Sequence, residues 1–299
     1  MGRKMLFIFN PRSGKGRIKN SLFEIIDIFT KAGCDVTVHP TQAPNDCAET
    51  IKKSADEYDI VVVSGGDGTL NETVSGILNF GSEKRVPIGY IPAGTMNDFA
   101  SGNGIPRSVT DAAECIVKGK TVSYDIGSFN DENFIYVASF GAFTEVSYDT
   151  PQLSKNILGP AAYFFRGIKH INKIEDVGIR IETDSGEVFD DKVVWCFIMN
   201  STSVAGFEFG DFYDIDTNDG MFEIVLINTS SNIMDIANCI NDIRNGKRDT
   251  EGVRVMKASS AVIETEKPVR WTLDGEFGGE TNHVEFKVLG RAVEFVLNK

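Results

Sequence analysis

Ser64-Gly65-Gly66-Asp67-Gly68-Thr69-Leu70-Asn71-Glu72 sets three glycines around a carboxylate. It directly follows Asp59-Ile60-Val61-Val62-Val63, a run with the length and β-branching of a buried strand. The glycines let the backbone turn sharply and approach a ligand closely, with N–H groups aimed at anionic oxygens. Thr69 and Glu72 have capping-box spacing, which predicts a helix starting at Thr69. Strand, glycine turn and helix N-terminus together make a phosphate site. Asp67 inside such a cradle repels bare phosphate, so its presence points to a divalent cation between the two. The plain alternative is a tight βα turn with Asp67 merely solvated.

Two further loops carry the same kind of chemistry. Asn10-Pro11-Arg12-Ser13-Gly14-Lys15-Gly16 follows the first apolar run. It is not a Walker A loop, since the first glycine is missing and Gly16 replaces the Ser or Thr after the lysine. Gly14 and Gly16 still free the backbone, while Arg12, Lys15 and Arg17 bring positive charge for phosphate. Pro92-Ala93-Gly94-Thr95-Met96-Asn97-Asp98-Phe99-Ala100 adds a glycine for close approach and a Thr95 hydroxyl able to bond a phosphate or a base. Asn97 and Asp98 read equally well as caps of a short helix.

Positioning these loops requires an alternation of strands and helices over the first ~125 residues. Strands are expected at Leu6–Phe9, Val36–His39, Ile60–Ser64 and Pro87–Ile91. Helices are expected at Ile18–Lys31, Asp46–Asp56, Leu70–Phe80, Asn97–Ala100 and Val109–Lys118. This order implies a doubly wound parallel sheet, whose ligand sites gather beyond the carboxyl ends of the strands. All three loops fall there. From Thr121 strand-like runs dominate: Thr121–Phe129, Phe134–Phe140, Val177–Thr183, Val188–Asn200, Phe222–Ile227, Ala261–Glu264, Val269–Leu273, Val284–Leu289 and Ala292–Leu297. Helices are expected to interrupt them at Pro160–Ile174 and Asn232–Asn245. The expected architecture is therefore α/β: a nucleotide-binding domain over 1–125 and a mainly antiparallel β-rich domain over 126–299. No long linker separates them, so a shared cleft is expected.

Composition narrows the function classes. A net charge of -13 argues against general nucleic-acid binding and against adsorption of the whole surface to anionic lipid. No apolar stretch reaches the ~20 residues that span a bilayer. The apolar start at Met5–Phe9 stops at Asn10-Pro11 and reads as a first strand rather than a signal peptide. Five widely spaced cysteines suggest neither a disulfide framework nor a zinc site, and reduced cytosolic thiols are the expectation.

With the three loops quoted, the chain resembles the diacylglycerol kinase catalytic family, within the superfamily that also holds sphingosine kinases, NAD kinases and phosphofructokinases. Gly-Gly-Asp-Gly-Thr-Leu-Asn-Glu and Pro-Ala-Gly-Thr-Met-Asn-Asp-Phe-Ala carry the resemblance as a pair, and it runs from the first strand to the last. It implies ATP as phosphoryl donor, magnesium, a lipid hydroxyl as acceptor and an active site in the cleft between the domains. By that resemblance Asn10, Pro11, Arg12, Ser13, Gly14, Lys15, Thr41, Gly65, Gly66, Asp67, Gly68, Thr69, Leu70, Asn71, Gly94 and Thr95 bind the nucleotide. Asp67 would also hold magnesium, and Asp125 in Val122-Ser123-Tyr124-Asp125-Ile126-Gly127 would help orient that network. The distal acid is Glu276 in Leu273-Asp274-Gly275-Glu276-Phe277, the candidate general base for the acceptor hydroxyl. Asp274-Gly275 also has the composition of a hairpin turn, which could itself aim Glu276.

An acidic run, Asp211-Phe212-Tyr213-Asp214-Ile215-Asp216-Thr217-Asn218-Asp219-Gly220-Met221, fails as an EF-hand, because its glycine is one place late and Val225 stands where the bidentate Glu belongs. The resemblance implies a structural magnesium here, with a carboxylate from Asp219 and carbonyls from Asp216 and Met221; a metal-free exposed turn is the alternative. Ala205-Gly206-Phe207-Glu208-Phe209 departs from the family's glycine-rich approach to this turn. On the helix expected at Pro160–Ile174, Arg166, Lys169, His170 and Lys173 oppose Phe164, Ile168 and Ile171, a face able to meet anionic lipid or simply solvent.

The reading is an ATP- and magnesium-dependent lipid kinase, working in the cytosol with transient membrane contact and most simply converting diacylglycerol to phosphatidate. Alternatives are another acceptor (a long-chain base or phosphatidylglycerol), an NAD kinase, or a catalytically silent nucleotide-binding regulator. A homodimer is only the general expectation for an oligomer.

Overall fold

The computed structural model describes residues 2–80, 86–141, 176–204, 207–208, 215–228, 238–239, 242, 247, 250 and 252–298, without the side chains of Lys15, Arg17, Phe207 and Glu208. The helix expected at Pro160–Ile174 lies outside them. Of Asn232–Asn245 only Asn238, Cys239 and Asp242 are described, and these are helical. The chain forms two compact units, residues 1–124 with 291–299, and residues 125–290.

The first unit contains β1 (Arg3–Phe9), α1 (Arg17–Lys31), β2 (Cys34–Pro40), α2 (Asp46–Ser54), β3 (Ile60–Gly65), α3 (Asp67–Leu78), β4 (Ile88–Pro92), α4 (Asp98–Gly102) and α5 (Val109–Lys118). Its strands are parallel in the order β2-β1-β3-β4. The order reverses at β1, which makes the space beyond the β1 and β3 carboxyl ends a topological switch point. α1 forms because Ile18, Leu22, Ile25 and Phe29 recur at helical spacing, and Ile18, Ile25 and Phe29 are fully buried. Each such burial contributes roughly 1.5–3 kcal/mol. The helix stops where Gly33 takes a φ of 82°.

β5 (Lys120–Phe129) leads into the second unit, which continues with β6 (Glu132–Phe134), β7 (Val137–Gly141), β8 (Val177–Thr183), β9 (Val188–Val193), β10 (Trp195–Met199), β11 (Ser203–Val204), β12 (Phe207–Glu208), β13 (Phe222–Ile227), β14 (Val253–Ala258), β15 (Ser260–Leu273) and β16 (Glu276–Leu297). The order β14-β13-β10-β7-β15-β16 is antiparallel throughout. The N-terminal half of β15 also pairs with β8, and β8 with β9. The core includes Phe129 and Phe140 edge-on to Trp271, at 4.9 and 4.8 Å between ring centroids.

Several boundaries differ from expectation. The run Phe134–Phe140 is two strands broken at Ile135-Tyr136, and Val188–Asn200 is broken at Val194. The pairs Ala261–Glu264 with Val269–Leu273, and Val284–Leu289 with Ala292–Leu297, each fuse into one long strand; in β15 a register shift between Glu264 and Val269 absorbs the interruption without ending the ladder. The end of β16, from Arg291, belongs to the first unit, where Phe295 pairs in parallel with Ile88 of β4. α3 begins at Asp67 rather than Thr69, because Gly66 is its N-cap and no side chain caps it. The expected capping box is absent: Glu72 accepts the Asn45 N–H at 3.1 Å instead, tying the start of α2 to α3.

Candidate active site

Parallel pairing aligns the ends of the strands that carry the three loops. Phe9 lies opposite Pro40 and Ser64, and Gly65 opposite Pro92. The chain therefore leaves β1, β2, β3 and β4 side by side at Asn10, Thr41, Gly66 and Ala93. Short backbone bonds lock these exits: Asn10 N–H to the Ser64 carbonyl at 2.9 Å, Thr41 N–H to Phe9 at 2.9 Å, and Ala93 N–H to Gly65 at 2.7 Å.

The loops touch through their glycines. A Cβ on Gly14, which has a φ of 54°, would collide with the Ala93 carbonyl oxygen. One on Gly94 would lie 2.5 Å from the Gly66 Cα and 2.7 Å from the Asn97 Oδ1. One on Gly65 would run into the Thr69 side chain. At Gly14 and Gly94 it is facing backbone that leaves no room for a side chain, so main chain of the three turns meets directly.

Asp67 is the first residue of α3, where the helix dipole favours an anion and the first-turn N–H groups lack intrahelical acceptors. Its Oδ2 accepts the Asn97 N–H at 2.9 Å, across from the third loop. Asn97 sits in the left-handed region at φ 55°. Its side chain does not cap α4 as one reading expected. It closes on its own loop: Gly94 N–H donates to Oδ1 at 2.8 Å, and Nδ2 donates to the Gly94 carbonyl at 3.1 Å. A carboxylate oriented by a backbone amide at a helix N-terminus suits magnesium, which takes one or two carboxylates and fills its shell with phosphate oxygens and water.

The other expected nucleotide contacts divide by exposure. Arg12 and Thr95 are exposed, while Asn10, Pro11, Ser13, Gly14, Thr41, Gly66, Gly68, Thr69 and Asn71 are partly so. Asn10 Oδ1 accepts the Arg12 N–H at 2.9 Å, which shapes the turn into a 3-10 helix over Ser13–Gly16. Gly65 is buried, and so is Leu70, whose side chain belongs to the core and whose N–H donates to the Gly66 carbonyl at 3.1 Å. Lys15 has its backbone in that 3-10 turn and its side chain outside the description.

In the second unit the candidate acids differ sharply in surroundings. Asp125 is fully buried. Its Oδ2 accepts the Gly220 N–H at 2.6 Å, and its own N–H donates to the Thr217 carbonyl at 2.8 Å. The Asn200 Nδ2 donates to the Asp125 carbonyl at 3.1 Å. Asp125 thus clamps the turn that contains Asp219. Glu276 opens β16 immediately after a two-residue turn, with Asp274 at φ 51° and Gly275 at φ 84°. Positive φ at both positions is the type I′ geometry that Asp-Gly favours. Glu276 is exposed, whereas Asp274 is buried and accepts N–H bonds from Ile135, Tyr136 and Val137 at 2.7, 2.9 and 3.1 Å.

At the acidic turn Asp219 uses Oδ1 for the Met221 N–H at 2.9 Å, and its Oδ2 is 2.8 Å from the Lys257 ammonium. Asp216 accepts the Asn218 N–H at 3.2 Å. The same ammonium is 3.2 Å from Glu223, whose carboxyl is pushed up to about 7 chiefly by burial, against the pull of Lys257. A divalent ion at Asp219 would therefore have to share that carboxylate with Lys257 or displace it. Among the described residues no group of three or more His, Cys, Asp or Glu is gathered for a metal. Sequence reasoning passed over Lys257 and Glu223, whose pairing depends on β13 lying beside β14. It also passed over Tyr90, although a tyrosine inside an aliphatic strand is a visible signal for a buried hydroxyl with a partner.

Residues 4–129 match the model of the diacylglycerol kinase catalytic domain. A diacylglycerol kinase of Staphylococcus carnosus (strain TM300) is 35% identical over 286 residues, covering 94% of this chain and 90% of that protein. One of Bacillus subtilis (strain 168) is 31% identical, covering 99% and 97%. A crystal structure from Bacillus anthracis str. Sterne, assigned as a diacylglycerol kinase, superposes with a TM-score of 0.86 at 26% identity, covering 99% of this chain and 96% of that one. The residue-level pattern and these full-length likenesses agree: the chain belongs to the diacylglycerol kinase family, a family of lipid kinases.

Proposed function

We propose that this protein transfers the γ-phosphoryl group of ATP to the free hydroxyl of diacylglycerol, yielding phosphatidate. The observation that carries the reading is the close main-chain packing of Gly14 on Ala93 and of Gly94 on Gly66 beside Asp67, where a Cβ on Gly14 or Gly94 would collide with backbone. Phosphoryl transfer asks for little covalent chemistry from the protein and much positioning and charge neutralisation. The glycine-turn amides, Arg12 and Lys15 bind the ATP phosphates, and Asn10, Thr41, Asn71 and Thr95 hold the rest of the nucleotide. Asp67 holds magnesium, which when bound neutralises charge on the transferring phosphates. Glu276 takes the proton from the acceptor hydroxyl as its oxygen attacks phosphorus, and Asp125 supports the site through the turn it clamps. The acceptor is reached by peripheral contact with a lipid surface; among the described residues no helix is long and apolar enough to cross a membrane.

The test is a radiolabelled-ATP assay with diacylglycerol, sphingosine, phosphatidylglycerol and NAD as acceptors, run on wild type and on Glu276→Gln. The expected product is phosphatidate, with turnover about 10²–10⁴-fold lower in the variant and nucleotide affinity nearly unchanged. Preferential labelling of another acceptor replaces diacylglycerol, and wild-type turnover by Glu276→Gln removes it as the base.

A further inference from the structure

We propose that the Tyr90 hydroxyl is a positioning group that couples the third loop to the glycine turn and so sets the aim of Asp67 toward magnesium. The proposal rests on the reading of Asp67 as the magnesium-holding acid. Tyr90 lies on β4 and is 1% exposed. Its ring is held edge-on to Phe99 at 5.9 Å, and Phe99 packs in turn on Tyr124 and Phe295 at 5.5 and 4.6 Å. With the ring wedged, the hydroxyl has one place to be. It lies 3.1 Å from the Gly65 carbonyl oxygen and 3.4 Å from the Asn97 Oδ1.

Both acceptors belong to the machinery around Asp67. Gly65 is the last residue of β3, two positions before Asp67. Asn97 donates its backbone N–H to the Asp67 carboxylate. The orientation of the Asn97 amide is fixed by Gly94, which offers it one donor and one acceptor, so an oxygen does face Tyr90. The hydroxyl proton divides between the two acceptors and thereby ties the ends of β3 and the third loop together. Burial first, and the charges of Asp67 and Asp98 next, push the phenol well above its ordinary range, so it stays a donor at every working pH.

Removing the hydroxyl isolates this role. Gly65 keeps the Ala93 N–H and the Asn97 Oδ1 keeps the Gly94 N–H, so Tyr90→Phe strands no buried acceptor and should fold. The experiment measures binding of a non-hydrolysable ATP analogue by calorimetry, with and without Mg²⁺, together with thermal melting. Tyr90→Phe is expected to lose about fivefold of the gain in affinity that Mg²⁺ confers, while metal-free affinity and melting temperature stay near wild type. Tyr90→Leu, which changes packing as well, is expected to show the same loss of magnesium gain. In an Asp67→Asn background Tyr90→Phe should have no further effect on that gain, because the hydroxyl acts through the carboxylate. An undiminished magnesium gain in Tyr90→Phe, with the gain lost in Asp67→Asn, overturns the role of Tyr90 alone. A gain that survives Asp67→Asn overturns the reading of Asp67 beneath it.

Discussion

Two of the chain's three Asp-Gly dipeptides, Asp67-Gly68 and Asp274-Gly275, closely follow a strand, and their aspartates have opposite surroundings. Asp67-Gly68 starts a helix, is partly accessible, and accepts the Asn97 amide from a neighbouring loop. Asp274-Gly275 turns a hairpin, and the aspartate is buried under three amides of the segment Ile135–Val137. Three buried amides on one carboxylate make it a staple for main chain, whereas a half-buried aspartate at a helix N-terminus keeps a favoured anion beside the glycine turns. Asp125 falls with Asp274 in this comparison as a buried clamp of main chain, and Glu276, unlike either, is exposed. Within the Asp-Gly-Glu string, then, the first acid builds the turn and the last is presented by it.

The comparison breaks most visibly at the hairpin. Asp274→Ala strands three buried N–H groups at about 1–3 kcal/mol each, so urea unfolding should show a loss of about 3 kcal/mol or more. Glu276→Gln should leave that midpoint in place while removing turnover. An Asp274→Ala protein of wild-type stability but without activity would exchange the two roles.

A smaller effect is expected where a side-chain cation already serves an acid. Lys257→Met leaves the nearly buried Glu223 and the Asp219 carboxylate without their ammonium. Unfolding should cost about 1–2 kcal/mol less, below the figure for a fully buried pair because Lys257 is 37% exposed. Adding Mg²⁺ to that variant distinguishes the two accounts of the turn. Recovery of the melting temperature with millimolar Mg²⁺ means that a divalent ion can take the place of the ammonium, and an unchanged value means that the turn takes no metal.

The smallest effect concerns the loop that carries Thr41. The Asp46 carboxyl is held below its ordinary range chiefly by the Gln42 N–H, with His39 and Thr50 adding to it against partial burial. A depressed folded-state pKa contributes stability above the ordinary carboxylate range, and that stability is lost as pH falls through and below it. Asp46→Asn should therefore melt slightly lower than wild type at pH 7, by less than about 2 °C, and the gap should close on acidification. A gap that widens in acid would show that Asp46 is not stabilised as its anion.

The first unit was legible because parallel α/β architecture writes each element as a local pattern. Ile60–Val63 is uninterrupted and apolar because it is buried on both faces, and α1 repeats its apolar residues at helical spacing. The error at Thr69 has a physical cause. Capping-box spacing is a local preference, and Glu72 found a better use on the Asn45 N–H of a different helix. Strand breaks in the second unit were harder to read, since its ladders run through bulges and its breaks come at residues as apolar as Val194.

The glycine turns, the acids beside them and the strand-helix alternation are written in the chain, because each follows from backbone freedom or side-chain periodicity over a few residues. Packing decides instead which acids are buried staples and which lie nearer the surface, that Lys257 faces Asp219 and Glu223, and that Tyr90 reaches Gly65 and Asn97. Those outcomes depend on which strands become neighbours and on where N–H groups distant in sequence come to lie, and a local pattern carries no record of either.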